Sequence, residues 1–68
     1  MVIIYVTYPD KKTAIQAGKL LLEHRLICCS NIFPITSQYV WEDKLVEDEE
    51  CASYFKTTAE LKDKAISM

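Results

Sequence analysis

The chain predicts an α+β fold, helices on one face of an antiparallel sheet, and three observations carry that prediction. Extended runs rich in β-branched and aromatic residues recur three times, over Val2–Tyr8, Leu26–Trp41 and Leu45–Thr57. A stretch of helical period lies between the first and second runs, and a helix-start pattern follows the third. The second and third runs are joined by Glu42-Asp43-Lys44 alone, and about three residues between strands read as a β-hairpin. Alternating strands and helices with a hairpin between two of the strands place the helices on one side of an antiparallel sheet.

Size and composition narrow the class. The 68 residues make a single domain, 1–68. A domain this small buries only about 60% of its unfolded surface, and chains below roughly 70–80 residues commonly depend on a staple, a metal or a partner subunit. Half the residues are hydrophobic and 26% are charged, a globular composition rather than a disordered one. The net charge of −2 comes with no basic stripe, which argues against nucleic acid as a partner. Three cysteines, two of them adjacent, do not make a secreted disulfide framework and fit a reducing, cytoplasmic setting. The apolar run Val2–Val6 is too short for a signal peptide or a membrane span, so no membrane partner is expected.

In chain order, the first strand has Val2, Ile4, Val6 and Tyr8 on one face and Ile3, Tyr5 and Thr7 on the other. Both faces are largely apolar, which predicts a central strand covered on both sides. Pro9-Asp10 stops it, and Asp10 is placed to cap the next helix. That helix, of about 14 residues, gathers Ala14, Ile15, Ala17, Gly18, Leu21 and Leu22 on one arc, with Lys12, Gln16, Lys19 and Glu23 opposite. Gly18 inside the apolar arc implies close approach to the sheet, since a mid-helix glycine otherwise costs up to ~1 kcal/mol. Arg25 would fall on the apolar arc, so the helix ends before it.

The second strand puts Phe33, Ile35, Tyr39 and Trp41 on one face, and Pro34 makes it an edge strand or one bulged near 34. After the third strand, Thr57-Thr58-Ala59-Glu60 reads as a capping box with Thr57 at the cap, starting a second helix near Thr58. The order βαββα is the ferredoxin-like plan lacking its final β-strand. That plan puts strand one in the centre and strand two at an edge.

The segments VTYPDKKTA, LLLEHRLICCSNIFPITSQYVWEDKLVEDEE and FKTT together resemble the CutA divalent-cation tolerance family. The resemblance runs over nearly the whole chain. It rests on the Pro-Asp after strand one, the run from Arg25 through Lys44, the acidic stretch and the Lys-Thr-Thr helix start. It implies a ferredoxin-like fold assembled as a homotrimer, with long hairpins packed between subunits. It also implies a non-enzymatic, cytoplasmic protein serving tolerance of copper and other divalent metals. The family pattern continues with a His-Pro-Tyr segment and a fourth strand, so the chain reads as a C-terminally truncated member. Asp43 stands where the family commonly has glycine in the hairpin turn, and Thr7 and Tyr8 stand where some members carry a cysteine.

Candidate residues follow. Cys29 aligns with the family's common cysteine: a soft thiolate ligand for copper, or a small buried hydrophobe. Cys28 and Cys29, adjacent in a strand, point to opposite faces and would not chelate one ion together. Cys51 reads as packing. His24, the lone histidine, reads as a residue at a helix C-terminus. The Glu47–Glu50 run alternates faces, so a solvated or subunit-bridging surface is the plainer reading than a cation site. Tyr39 and Trp41, near the hairpin tip, read as subunit interface together with Glu42, because aromatics are enriched in interface cores. With one His and one Gly no catalytic triad or phosphate loop can be assembled, so no catalytic residue is named. Two other readings stand beside the first. One is a small-molecule-sensing regulatory module of trimeric ferredoxin-like type. The other is a remnant of a broken gene, whose strand one would be left unpaired.

Overall fold

The computed structural model describes residues 1–67. The chain runs β1 (Val2–Tyr8), α1 (Lys11–Glu23), β2 (Cys29–Trp41), β3 (Lys44–Thr57) and α2 (Ala59–Ser67). The three strands form one antiparallel sheet in the order β1-β3-β2. This is the predicted ferredoxin-like βαββα arrangement.

In the ferredoxin-like plan the side of β1 away from β3 belongs to the final strand, which the described sheet does not include. β1 is accordingly an edge of the described sheet, paired with β3 from Val2–Thr57 to Tyr8–Cys51. It is therefore not wholly unpaired: one side of its ladder is complete. It is also covered on one face only. Val2, Ile4, Val6 and Tyr8 are half-buried under the helices, while Ile3, Tyr5 and Thr7 are exposed. An apolar strand can leave one face open when another surface is available to cover it, and periodicity cannot tell which cover is meant.

Helix α1 starts as its sequence requires. The Asp10 carboxylate accepts from the Thr13 backbone N–H at 2.7 Å and from the Thr13 hydroxyl at 2.7 Å, satisfying a donor the first turn would leave orphaned. These bonds hold the Asp10 carboxyl below its ordinary range. The helix ends in a Schellman motif. The Leu26 N–H donates to Leu21 O at 3.0 Å and the Arg25 N–H to Leu22 O at 3.1 Å. Arg25 takes the left-handed conformation, φ 59°, usually given to glycine. The second extended run therefore begins at Cys29 rather than Leu26: the turn occupies Arg25 and Leu26, and Ile27 drops into the core.

Gly18 lies against β2. A Cβ built there would stand 2.8 Å from Ser30 Oγ and 3.2 Å from Ser30 Cβ, so the glycine lets α1 seat directly on the sheet. Ala14, Gly18 and Leu21 are buried, whereas Ile15 and Leu22 flank the stripe and stay partly exposed. The core is small, built from Leu21, Ile27, Phe55 and Ala65, with Ile4, Val6, Tyr8, Ala17 and Leu26 packed around it.

Two boundaries shift by a residue. The hairpin turn is two residues, Glu42-Asp43, closed by the Trp41–Lys44 pair. Both turn residues have positive φ, 50° and 63°, the signature of a type I′ turn, whose twist matches that of the strands. The cap of α2 is Thr58, not Thr57: Thr58 Oγ1 accepts from the Leu61 N–H at 3.3 Å. Thr57 is fully buried at the end of β3, and its hydroxyl donates to Leu26 O at 2.6 Å. A burial demand on Thr57 moves the helix start on by one position.

Pro34 sits in an edge strand without a bulge, since β2 and β3 keep one register from Cys29–Lys56 to Trp41–Lys44. Counting in twos from the turn-closing pair, Pro34 opposes Cys51 at a position that donates no bond to β3, so its missing N–H costs nothing in that ladder. Beyond the Tyr8–Cys51 pair the hairpin continues as a two-stranded ribbon. Thirteen extended residues span roughly 40 Å, and the molecule measures 41 × 22 × 17 Å.

Candidate functional site

The strand registers bring one set of side chains together on the sheet face opposite the helices. Pairing Tyr5 with Tyr54, and Phe33 with Ala52, places Tyr5, Tyr54 and Phe33 side by side across all three strands. The Tyr5 and Tyr54 rings lie 5.4 Å apart at 50°, and Phe33 and Tyr54 5.2 Å apart at 47°. Tilted pairs at this distance match the ring quadrupoles. Ile3 borders the cluster at 59% exposure, and Tyr5 itself is 52% exposed. An apolar patch of this kind on a sheet marks an interaction surface.

The same face continues onto the hairpin. Phe33, Ile35, Tyr39 and Trp41 share it, as their spacing predicts. Tyr39 lies opposite Val46, and its hydroxyl donates to Asp48 Oδ2 at 2.6 Å. That carboxylate beside the phenol holds the Tyr39 pKa above its ordinary value. Trp41 is 65% exposed, and Val40 and Leu45 on the opposite face of the ribbon are exposed as well. Glu42 is at the turn itself and is exposed. Within this chain, Tyr39, Trp41 and Glu42 therefore stand clear of the core.

The cysteines separate. Cys29 starts β2 on the open face, half-buried, with its thiol donating to Asn31 Oδ1 at 3.5 Å. Cys28 precedes the strand and is exposed, its N–H bonded to Lys56 O at 2.7 Å. Cys51 is buried on the helix side, its thiol directed at Phe33 O at 3.5 Å. Among the described residues, no three of His, Cys, Asp and Glu are grouped to hold a metal ion. One thiol beside an amide does not make a copper site within a single chain. His24 caps α1, with Nδ1 donating to Leu20 O at 3.0 Å. The acidic run alternates faces as predicted: Glu47 and Glu49 oppose Gln38 and Thr36, whereas Asp48 and Glu50 oppose Ser37 and Ile35. Glu49 accepts from the Thr36 hydroxyl at 3.2 Å. A cleft of about 380 Å³ lies where the start of α1 meets the base of the hairpin, lined by Asp10, Lys11, Pro34, Glu49 and Cys51.

The Tyr5–Tyr54–Phe33 cluster is the part that sequence reasoning missed. Each residue was visible as a strand aromatic, but their adjacency depends on two cross-strand registers. Among the described residues, no helix is long and apolar enough to cross a membrane.

Comparison with known proteins fits this geometry. Residues 2–68 match the model of the CutA1 divalent ion tolerance protein family. The Divalent-cation tolerance protein CutA of Thermotoga maritima is 47% identical over 60 residues, 88% of this chain and 59% of that protein. The corresponding Pyrococcus horikoshii protein is 41% identical over 61 residues, 90% of this chain and 60% of its own length. The chain thus spans about three fifths of the length of these curated relatives. Among solved structures, the divalent ion tolerance protein CutA1 from Ehrlichia chaffeensis superposes with a TM-score of 0.91 at 44% identity, covering 96% of this chain and 62% of that one. With sequence and fold in agreement, the chain belongs to the CutA1 divalent ion tolerance protein family.

Proposed function

We propose that the chain is a subunit of a homotrimer that serves tolerance of divalent metal ions, copper among them, in the cytoplasm and without catalysing a reaction. The observation that carries this reading is the open sheet face. Its aromatic cluster and the Tyr39–Trp41 end of the hairpin expose more apolar surface than a small monomer keeps without a partner. Family membership supplies the link to divalent cations. In this reading Tyr39, Trp41 and Glu42 contact a neighbouring subunit. Cys29, on the same open face, supplies a thiolate to copper, and the remaining ligands come from other subunits.

Light scattering across a concentration series, with isothermal calorimetry against Cu and Zn, tests both halves. The expected mass is three times 7.8 kDa, with Trp41→Ala shifting the population toward monomer. A folded monomer at every concentration would remove the trimer. No heat on adding either metal, together with no effect of Cys29→Ser, would remove the metal role. Cell fractionation checks the compartment, since the Archaeoglobus fulgidus relative is described as periplasmic. A second reading, a small-molecule-sensing regulatory module, is favoured by the cleft at the hairpin base. It predicts stabilisation by an organic ligand in the absence of metal.

A further inference from the structure

The cleft at the hairpin base is walled by the start of α1 and by the middle stretches of β2 and β3, away from the outer edge of β1. Its volume of about 380 Å³ lies at the small end of the range for ligand clefts. Ile32, Pro34 and Cys51 share the helix side of the sheet by register and alternation, and give the cleft an apolar floor. Cys51 is buried there, at 4% exposure. Asp10 and Lys11 bring charge to the rim from the start of α1, and Glu49 brings it from the strand face that carries Cys51. Glu50 lines the cleft as well, but alternation turns its side chain toward the open face.

The two carboxylates of the rim are held in place. Asp10 is fixed through Oδ1 by the N–H and the hydroxyl of Thr13, and Glu49 through Oε1 by the hydroxyl of Thr36. Each of these bonds leaves the second carboxylate oxygen for another donor. Lys11, by contrast, is exposed, and a lysine head rides on a flexible stem. Groups already fixed need little further ordering when a ligand arrives, so the two acids, rather than the lysine, select it. The bonds to Thr13 also keep Asp10 ionised at neutral pH. An anion would meet both carboxylates. A bare metal ion would find no group of three ligands among the described residues. A wholly apolar ligand would take water from the carboxylates without replacing it. We infer that the cleft binds a small organic ammonium ion: a protonated amine whose head meets Asp10 and Glu49 and whose apolar body covers Ile32, Pro34 and Cys51. This inference rests on the small-molecule reading of the cleft and gives that reading its ligand class. The site is separate from the open face, because the floor lies on the helix side of the sheet.

The test uses the full chain, isotopically labelled, titrated with hexylamine and, separately, with hexanoate as the anion of matching length. Backbone amide resonances are followed residue by residue. The expected result is a saturable shift with hexylamine at Lys11, Phe33, Ile35, Glu49 and Cys51, and none with hexanoate. Glu49→Gln and Asp10→Asn each keep a side-chain acceptor in place of the carboxylate. Each should weaken hexylamine binding about threefold, the scale of one exposed ion pair, and added salt should weaken it further. Amide resonances of the β2–β3 ladder that stay in place show that each variant is folded. Saturation by hexanoate overturns the ligand class and leaves the small-molecule reading standing. No saturable shift with either compound removes both. Hexylamine binding that neither substitution weakens overturns the inference, because the acids then select nothing. It is equally overturned if the same amides shift on raising the concentration of the chain alone, which would make a second copy the occupant.

Discussion

Replacing Gly18 by alanine should destabilise the protein, although alanine is the better helix former. In an open helix the change would gain about 1 kcal/mol. Here the new Cβ would stand 2.8 Å from Ser30 Oγ and 3.2 Å from Ser30 Cβ, so α1 must lift or Ser30 must move. Overpacking of this kind costs typically ~1–3 kcal/mol, which leaves a net loss of about 1 kcal/mol at the middle of that range. For a domain of this size that is a fall in Tm of roughly 4–8 °C. Ser30 makes the reasoning checkable, because its hydroxyl is buried without a hydrogen-bond partner. Ser30→Ala alone should be close to neutral, since it removes an unsatisfied polar group. In the Ser30→Ala background the nearest atom is gone, and Gly18→Ala should lose at least half its effect, a coupling of about 0.5 kcal/mol or more. Urea and thermal melts at one fixed protein concentration read the parent chain and the three variants, the fixed concentration being needed because association shifts apparent stability. A rise in Tm for Gly18→Ala in the parent chain would refute the close-packing reasoning. So would an equal effect in both backgrounds.

Further expectations follow from the same structure. Asp43→Gly and Arg25→Gly place glycine at left-handed positions, φ 63° and 59°; each should raise stability by about 0.5–1 kcal/mol in thermal melts, a little under the usual strain of a side chain there. Thr57→Val leaves the Leu26 carbonyl without its 2.6 Å hydroxyl donor, and the loss of about 1–3 kcal/mol should appear as a lower urea midpoint. The Asp10 carboxyl is held below its ordinary 3.8 in the folded chain by its bonds to Thr13. Its contribution is complete above 3.8 and disappears as pH falls through the lowered folded value. Asp10→Asn keeps a cap, and should flatten that part of the acid-stability profile measured by circular dichroism. If the acid limb is unchanged, the Asp10–Thr13 cap is not what titrates there.

Much of the element content was fixed locally. Strand and helix periods, the Asp10 cap, the stop before Arg25 and the glycine seat at Gly18 are properties of residues within a few positions of one another, so the chain alone specifies them. The same holds for Tyr39 and Trp41 sharing a face, because a strand alternates with period two whatever surrounds it. Where a choice depended on distant residues, local pattern fell short. Thr57 and Thr58 are equally good caps by type, and the 2.6 Å bond from Thr57 to Leu26 decides between them across a gap in sequence of thirty-one residues. β1 reads as central because both its faces are apolar, yet its neighbours in the sheet depend on which strands pair with it. The Tyr5–Tyr54–Phe33 cluster and the cleft at the hairpin base exist only once two registers and the start of α1 are set. Backbone periodicity says which way a side chain points along its own strand. Which side chain it meets depends on long-range pairing, and that pairing is selected by burial summed over the whole domain.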